Sequence, residues 1–215
     1  DIISDIKEDK VSSTKFFAAN VTLSAEAKAE NLYNSLDVNN LSLPKLESFT
    51  KALKGFYALQ TKGKIQKNVL TLIDFSLSSK TKRLWIIDLS TNTVLYNSLV
   101  AHGRNTGNEF ATAFSNASES YKSSLGFYAT GEVYQGKHGL SLRLDGLEQG
   151  VNDNARARAV VMHGADYVAE SFIKNNAIPA INPERANFQS FCCTWRPLKN
   201  KVVMSNAKTT MIIWP

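Results

Sequence analysis

The chain has 215 residues, of which 43% are hydrophobic and 20% are charged, so it has enough apolar residues for one buried core and is not a disordered or low-complexity chain. Its net charge of +6 is mildly basic, but the lysines and arginines are scattered and no basic-aromatic motif occurs, which argues against nucleic acid as a partner. No apolar run approaches the ~18 residues of a membrane-spanning helix, so we expect no transmembrane segment.

The first predicted elements are two helices. Residues 1–20 have no clear hydrophobic period, which predicts an irregular N-terminal segment. The opening DIISDIKEDK is too polar for a signal peptide, and a mature chain would already have lost such a peptide. From Ala25 to Leu36 the apolar residues recur on one helical face. A second helix follows Pro44 and ends at Gly63, and its apolar stripe is Leu46, Phe49, Leu53, Phe56 and Tyr57. We therefore predict a small helical segment over residues 1–63 that packs on the rest.

After residue 63 the pattern changes to strands. Three β-rich runs with polar turns between them predict a meander: Val69–Phe75, Arg83–Leu89 and Thr93–Ala101. Further strands are predicted at Gly126–Gly131, Leu140–Leu144, Ala159–His163, Lys201–Met204 and Thr209–Trp214, with a short helix at Asp166–Lys174. The sequence therefore predicts a mostly β domain of the α+β class over residues 64–215.

The two cysteines, Cys192 and Cys193, are adjacent in sequence. Bonding neighbouring cysteines strains the geometry that disulfides prefer, so we expect at least one free thiol. With no CxxC or HExxH motif, we expect neither a metal site nor a cofactor. His163 ends a strand-like run upstream of the cysteines, and an imidazole beside a thiol accepts its proton or stabilises the thiolate. The order of histidine before cysteine disfavours a papain-like enzyme.

About two-thirds of the chain, from residue 32 to residue 174, resembles a known protein family. The segments VLTLIDFSLSSKTKRLWIIDL and SSLGFYATGEVYQGKHGLSLRLDGLEQGVNDNARARAVVMHGADYV resemble the murein L,D-transpeptidase (YkuD-like) catalytic-domain family, in its Bacteroidetes-type branch. The family's cysteine motif is matched in part, by Ser190, Cys193 and Pro197. Cys192 stands where the motif has glycine, and residues 194–196 replace its Pro-Ala-Leu.

The resemblance implies a β-sandwich or barrel catalytic domain and a cysteine-dependent acyltransferase. Such enzymes cleave the diamino acid–D-alanine bond of peptidoglycan tetrapeptide stems and form 3→3 cross-links, or hydrolyse the bond as carboxypeptidases. It also implies that Cys193 is the nucleophile, that His163 is its base and that the Gly164 carbonyl orients the imidazole. Ser190 and Cys192 then belong to the oxyanion loop. Family members are also acylated by carbapenems.

His138, Arg143 and Arg196 are the candidate substrate-binding residues. His138 and Arg143, in the segment GKHGLSLRL, are candidates to line the cleft, where an arginine can bind the carboxylate of the stem bidentately. Arg196 follows the cysteine motif and is a candidate to gate the substrate groove. His102, in the segment HGRNTGN, is interpreted first as a structural loop residue. The partners implied by the resemblance are donor and acceptor stem peptides, and the implied location is periplasmic or otherwise extracytoplasmic. The sequence indicates no oligomeric state.

Two other functions stay open at this point. The departures from the cysteine motif are also consistent with a peptidoglycan-binding scaffold of the same fold whose catalysis is impaired. A different cysteine amidase or peptidase acting on stem peptides is the second alternative.

Overall fold

The computed structural model describes residues 23–137, 139–165, 167–174, 191–193 and 210–214. In chain order the elements of this part are α1 (Ala25–Asn34), α2 (Leu46–Thr61), β1 (Val69–Asp74), β2 (Leu84–Asp88), β3 (Thr93–Ser98), β4 (Gly126–Gly136), β5 (Gly139–Gly146), β6 (Val161–Gly164), α3 (Glu170–Lys174), β7 (Phe191–Cys193) and β8 (Thr210–Trp214). The strand predicted at Lys201–Met204 lies outside the described residues.

Both predicted N-terminal helices are confirmed. The Ser24 hydroxyl caps α1 by accepting a hydrogen bond from the Ala27 amide, and Gly63 follows the end of α2 with a φ of 65°, where glycine is favoured. The predicted stripe of α2 is partly wrong, because Leu46 is 38% exposed and Tyr57 is 48% exposed. The face that α2 buries consists of Ser48, Phe49, Ala52, Leu53 and Phe56.

The described strands form one mixed, curled sheet in the order β3-β2-β1-β8-β4-β5-β6-β7. The meander β1-β2-β3 is antiparallel, as predicted. Strand β8 lies between β1 and β4, parallel to the first and antiparallel to the second. Strands β4, β5 and β6 are antiparallel neighbours, and β7 runs parallel to β6. The mostly β fold class is therefore confirmed.

The two faces of the sheet have different surroundings. The inner face encloses the main core, whose members include Ile73, Tyr128, Leu142, Met162 and Ile213. The opposite, outer face is covered by α1 and α2 over β1, β2 and β8, where a second cluster contains Phe49, Phe56, Leu70, Leu72, Trp85 and Ile212. We call this part of the outer face the covered half. The predicted packing of the helices on the sheet is thus observed, and the division of the chain at residue 63 stays a prediction.

Beyond the helices the outer face continues across β4, β5 and β6, and we call this part the polar half. The covered half ends where α2 meets β4: a Cβ added to Gly55 would lie 1.8 Å from the Phe127 ring, so only glycine permits this approach.

Within the described residues, no helix has both the length and the hydrophobicity needed to cross a bilayer.

Candidate active site

His163 lies in β6, the last strand of the polar half. It pairs with Ser141 of β5, while the preceding pair, Met162 and Leu142, belongs to the inner core. Side chains alternate between faces along a strand, so His163 and Ser141 share the outer face. The imidazole is only 2% exposed. Its position is therefore fixed by the register of the two strands.

The backbone of the next residue orients the imidazole. His163 Nδ1 lies 2.8 Å from the Gly164 carbonyl oxygen. A carbonyl only accepts, so Nδ1 donates the hydrogen, and in the neutral ring Nε2 then carries the lone pair. In this tautomer Nε2 is the nitrogen that accepts a proton.

The two cysteines lie on β7, which pairs with β6. The register places Cys192 level with His163 and Cys193 level with Gly164. Neighbouring strands are about 4.8 Å apart, so both cysteines are adjacent to the histidine strand despite their distance in sequence. The motif resemblance favours Cys193, whereas the register makes Cys192 the direct neighbour of His163. His138, Ser190 and Arg196, the other sequence-predicted site residues, lie outside the described residues.

Arg143 is on β5, two residues from Ser141 and on the same face. Its Nε lies 2.8 Å from Glu132 Oε1, and its guanidinium stacks 4.5 Å from the centre of the Tyr134 ring. The side chain is 37% exposed. The predicted substrate-binding arginine is thus on the same face as His163, on a strand next to β6.

A network of charged side chains surrounds Arg143. Arg156 binds both oxygens of Glu132, at 3.0 and 3.1 Å, and contacts both oxygens of Asp145. The hydrogen bonds from Arg156 lower the pKa of Glu132 to about 2, so this carboxylate stays ionised at neutral pH. The network fixes Glu132, which in turn fixes the position of Arg143.

The comparisons with known proteins bear on this site. Residues 40–182 match the family model of the L,D-transpeptidase catalytic domain, which is well over half of the chain. The chain belongs to this family. The match confirms the resemblance read from the sequence, and it assigns the chain to a family of peptidoglycan L,D-transpeptidases. It includes His163 and Arg143 and ends before β7.

Among solved structures, the chain is similar to the L,D-transpeptidase (residues 123–326) from Xylanimonas cellulosilytica DSM 15894. The identity is 12%, the alignment covers 88% of this chain and 92% of that chain, and the TM-score is 0.34. No curated protein matches.

Within this L,D-transpeptidase domain, the sequence alone does not predict that Glu132, Asp145 and Arg156 are neighbours of Arg143. One signal was present: in the run SLRLD the polar residues Ser141, Arg143 and Asp145 alternate with leucines, which is typical of a strand with one polar face. The pairing with Glu132 and Arg156 joins distant parts of the chain. No local pattern contains that information.

His102 is not in the site. It is 3% exposed, and it lies between Arg83 Nη2, 2.8 Å from its Nδ1, and the Gly107 carbonyl, 3.1 Å from its Nε2. Burial, with the charge of Arg83 as a second cause, lowers the pKa of His102 to about 4. The ring is therefore neutral at pH 7 and accepts a hydrogen bond from Arg83, an arrangement that fits the structural role expected from the sequence.

Two features of the described residues bear on ligand binding. Within the described residues, no group of three or more His, Cys, Asp or Glu side chains is arranged to hold a metal ion. A groove of about 640 Å³ lies between α1 and α2, with Leu32, Leu53 and Tyr57 in its walls. Its lining residues all belong to the helical part, so the groove is separate from the polar half.

Proposed function

We propose that this chain is a cysteine-dependent peptidoglycan L,D-transpeptidase. In this proposal it cleaves the diamino acid–D-alanine bond of a tetrapeptide stem and transfers the acyl group to the amine of a second stem, forming a 3→3 cross-link. Transfer to water instead makes it an L,D-carboxypeptidase. Family membership supports the reaction class, and the observation that carries the proposal is the pairing of β6 with β7. This pairing brings a thiol-bearing strand next to the buried, oriented His163.

The chemistry follows from the orientation of His163. The thiol of Cys193 gives its proton to His163 Nε2, and sulfur attacks the carbonyl carbon of the diamino acid. Backbone N–H groups around Cys192 and Cys193 stabilise the oxyanion, and Ser190 belongs to the same loop. The C–N bond to D-alanine then breaks, and the D-alanine nitrogen takes the proton from Nε2. An acyl-thioester remains on the enzyme.

The second half of the reaction uses the same groups. The acceptor amine attacks the thioester carbonyl and gives a proton to His163 Nε2. The carbon–sulfur bond breaks, and the thiolate leaves and recovers that proton. The Gly164 carbonyl keeps Nδ1 protonated throughout, so a single nitrogen of His163 serves as acceptor and donor.

In this proposal His138, Arg143 and Arg196 contact the stem peptide, and the protein works outside the cytoplasm, where peptidoglycan is assembled. The role of Arg143 is supported by its place on the outer face of β5. The roles of His138, Ser190 and Arg196 rest on the sequence.

The decisive experiment is covalent trapping of the nucleophile. A carbapenem should add one inhibitor mass to the intact protein, as measured by mass spectrometry. Cys193→Ser should lose the adduct, because the serine hydroxyl has a far higher pKa than a thiol. Cys192→Gly should keep it, because it restores the residue of the family motif. D-alanine release from a defined tetrapeptide should follow the same pattern.

The alternatives give different outcomes in the same experiment. An adduct that survives Cys193→Ser and disappears in Cys192→Gly assigns the reaction to Cys192, the residue level with His163. No adduct and no D-alanine release from any of the proteins indicates a scaffold of this fold without catalysis. Release of a product other than D-alanine indicates another amidase or peptidase.

A further inference from the structure

Arg143 and Arg156 are neighbours that differ in how many of their guanidinium nitrogens contact a carboxylate. Arg156 uses its Nε and both terminal nitrogens on Asp145 and Glu132. Arg143 contacts Glu132 at Nε, which lies 2.8 Å from Oε1. Within the described part of the chain, no carboxylate or carbonyl oxygen is hydrogen-bonded to its two terminal nitrogens. Arg143 therefore keeps the fork of donors that binds a carboxylate bidentately.

The charge of Arg143 is also incompletely balanced. Glu132 is its only described counter-ion, and both oxygens of Glu132 are already bound by Arg156. The Tyr134 ring stacks on the guanidinium and Glu132 holds its Nε, so the fork is oriented before a ligand arrives. A pre-oriented cation on a partly exposed side chain is suited to an anionic ligand.

We propose that Arg143 binds a carboxylate that stays on the donor stem peptide after D-alanine has left, and that amidation of this carboxylate weakens stem binding. This inference rests on the proposed function. The candidate groups are the side-chain carboxylate of a diamino dicarboxylic acid and the α-carboxylate of the γ-linked glutamate. Both present the same chemistry to Arg143.

The position of the guanidinium favours an internal carboxylate over the terminal D-alanine carboxylate. Tyr134 pairs with Ser141, and Ser141 pairs with His163, so the ring under the guanidinium and the imidazole lie on strands about 10 Å apart. Because the guanidinium of Arg143 stacks on Tyr134 of β4, on the side of β5 away from β6, a carboxylate bound there lies several ångströms from a carbonyl held at His163. The D-alanine carboxylate extends about 4 Å from the scissile carbonyl, whereas the far carboxylate of a seven-carbon diamino diacid reaches about 7 Å.

The test measures equilibrium binding, so it does not depend on turnover. The double variant Cys192→Ser, Cys193→Ser is titrated calorimetrically with four synthetic tetrapeptide stems: the unmodified stem, and stems amidated at the diamino acid side-chain carboxylate, at the glutamate α-carboxylate or at the terminal D-alanine. The same titrations are repeated with Arg143→Gln and Arg143→Lys added. Lys51→Gln, which removes an exposed cation from α2, is the matched control.

One of the two internal amidations should weaken binding roughly tenfold to a hundredfold, the range for a hydrogen bond to a charged group. Arg143→Gln should weaken binding of the unmodified stem by a similar factor and abolish the preference for the free carboxylate. Arg143→Lys should restore part of the affinity, because it keeps the charge and loses the fork. Lys51→Gln should change nothing.

Three results would overturn the inference: a preference that survives Arg143→Gln, a loss that is equal for all four stems, or sensitivity confined to the terminal D-alanine. Absence of stem binding would overturn it as well. The proposed function is judged separately by the carbapenem adduct. A protein that forms the adduct but ignores internal amidation therefore disproves only the role of Arg143.

Discussion

The two halves of the outer face use the same backbone arrangement for different purposes. In the covered half the outward positions are Leu70, Leu72 and Ile212, and two helices bury them. In the polar half the corresponding positions are Ser141, Arg143 and His163, and the helices do not extend over them. Burial of apolar area stabilises the first half, whereas the second holds polar groups, the buried Ser141 and His163 and the partly exposed Arg143. Stability and chemistry should therefore respond to different substitutions.

The largest expected effect is on chemistry, in the polar half. His163→Ala removes the proposed general base, so D-alanine release and carbapenem acylation should fall by roughly 10²- to 10⁴-fold. The matched control is His102→Ala, measured per folded molecule, which should keep most of the activity because His102 is outside the site. Equal losses in the two variants, with the fold intact, would mean that the base is wrongly assigned.

In the covered half the expected effect is on stability. Phe56 is 1% exposed between α2 and the sheet, so Phe56→Ala should lower the free energy of unfolding by about 3–5 kcal/mol in urea titrations. Tyr57→Ala, at the neighbouring 48% exposed position, should cost less than about 1 kcal/mol. Neither should change the acylation rate of the folded protein. A rate loss in Phe56→Ala at full folding would contradict the separation of the halves.

A third prediction uses pH to test the burial of His102, the histidine outside the candidate site. The pKa of His102 is about 4 in the folded protein and near 6.5 when unfolded, so the unfolded state binds more protons between these values. The free energy of unfolding should therefore fall by up to about 3 kcal/mol as pH drops from 6.5 to 4. His102→Gln should flatten this part of the curve. An unchanged slope in that variant would assign the pH dependence to other groups.

The smallest expected effect is that of the ion network on stability. Arg156 is 45% exposed, so Arg156→Gln should cost no more than about 1 kcal/mol, and the cost should decrease in high salt. Melting temperatures at low and high ionic strength measure both quantities. The cost of Phe56→Ala should not decrease in the same way. A large, salt-independent cost for Arg156→Gln would show that the network belongs to the packed core.

The sequence by itself determined the elements whose pattern is local. The helical period over residues 25–36 and 46–61, the meander of β1 to β3, and the family resemblance around His163 can all be read in short windows. These local patterns predicted that both Phe56 and Tyr57 are buried, whereas Tyr57 is exposed. The difference arises because the orientation of α2 depends on the strands beneath it. The local patterns also did not predict that β4 extends to Gly136.

Only the tertiary structure decided which distant residues meet. The insertion of β8 between β1 and β4, the register that sets β7 beside His163, and the contacts of Arg143 with Glu132 and Arg156 all join segments far apart in the chain. Strand register depends on interstrand hydrogen bonds and on which face is buried, and a shift by one residue exchanges the faces. The motif therefore favours Cys193 and the register favours Cys192, because the first follows from local sequence and the second from pairing with a remote strand.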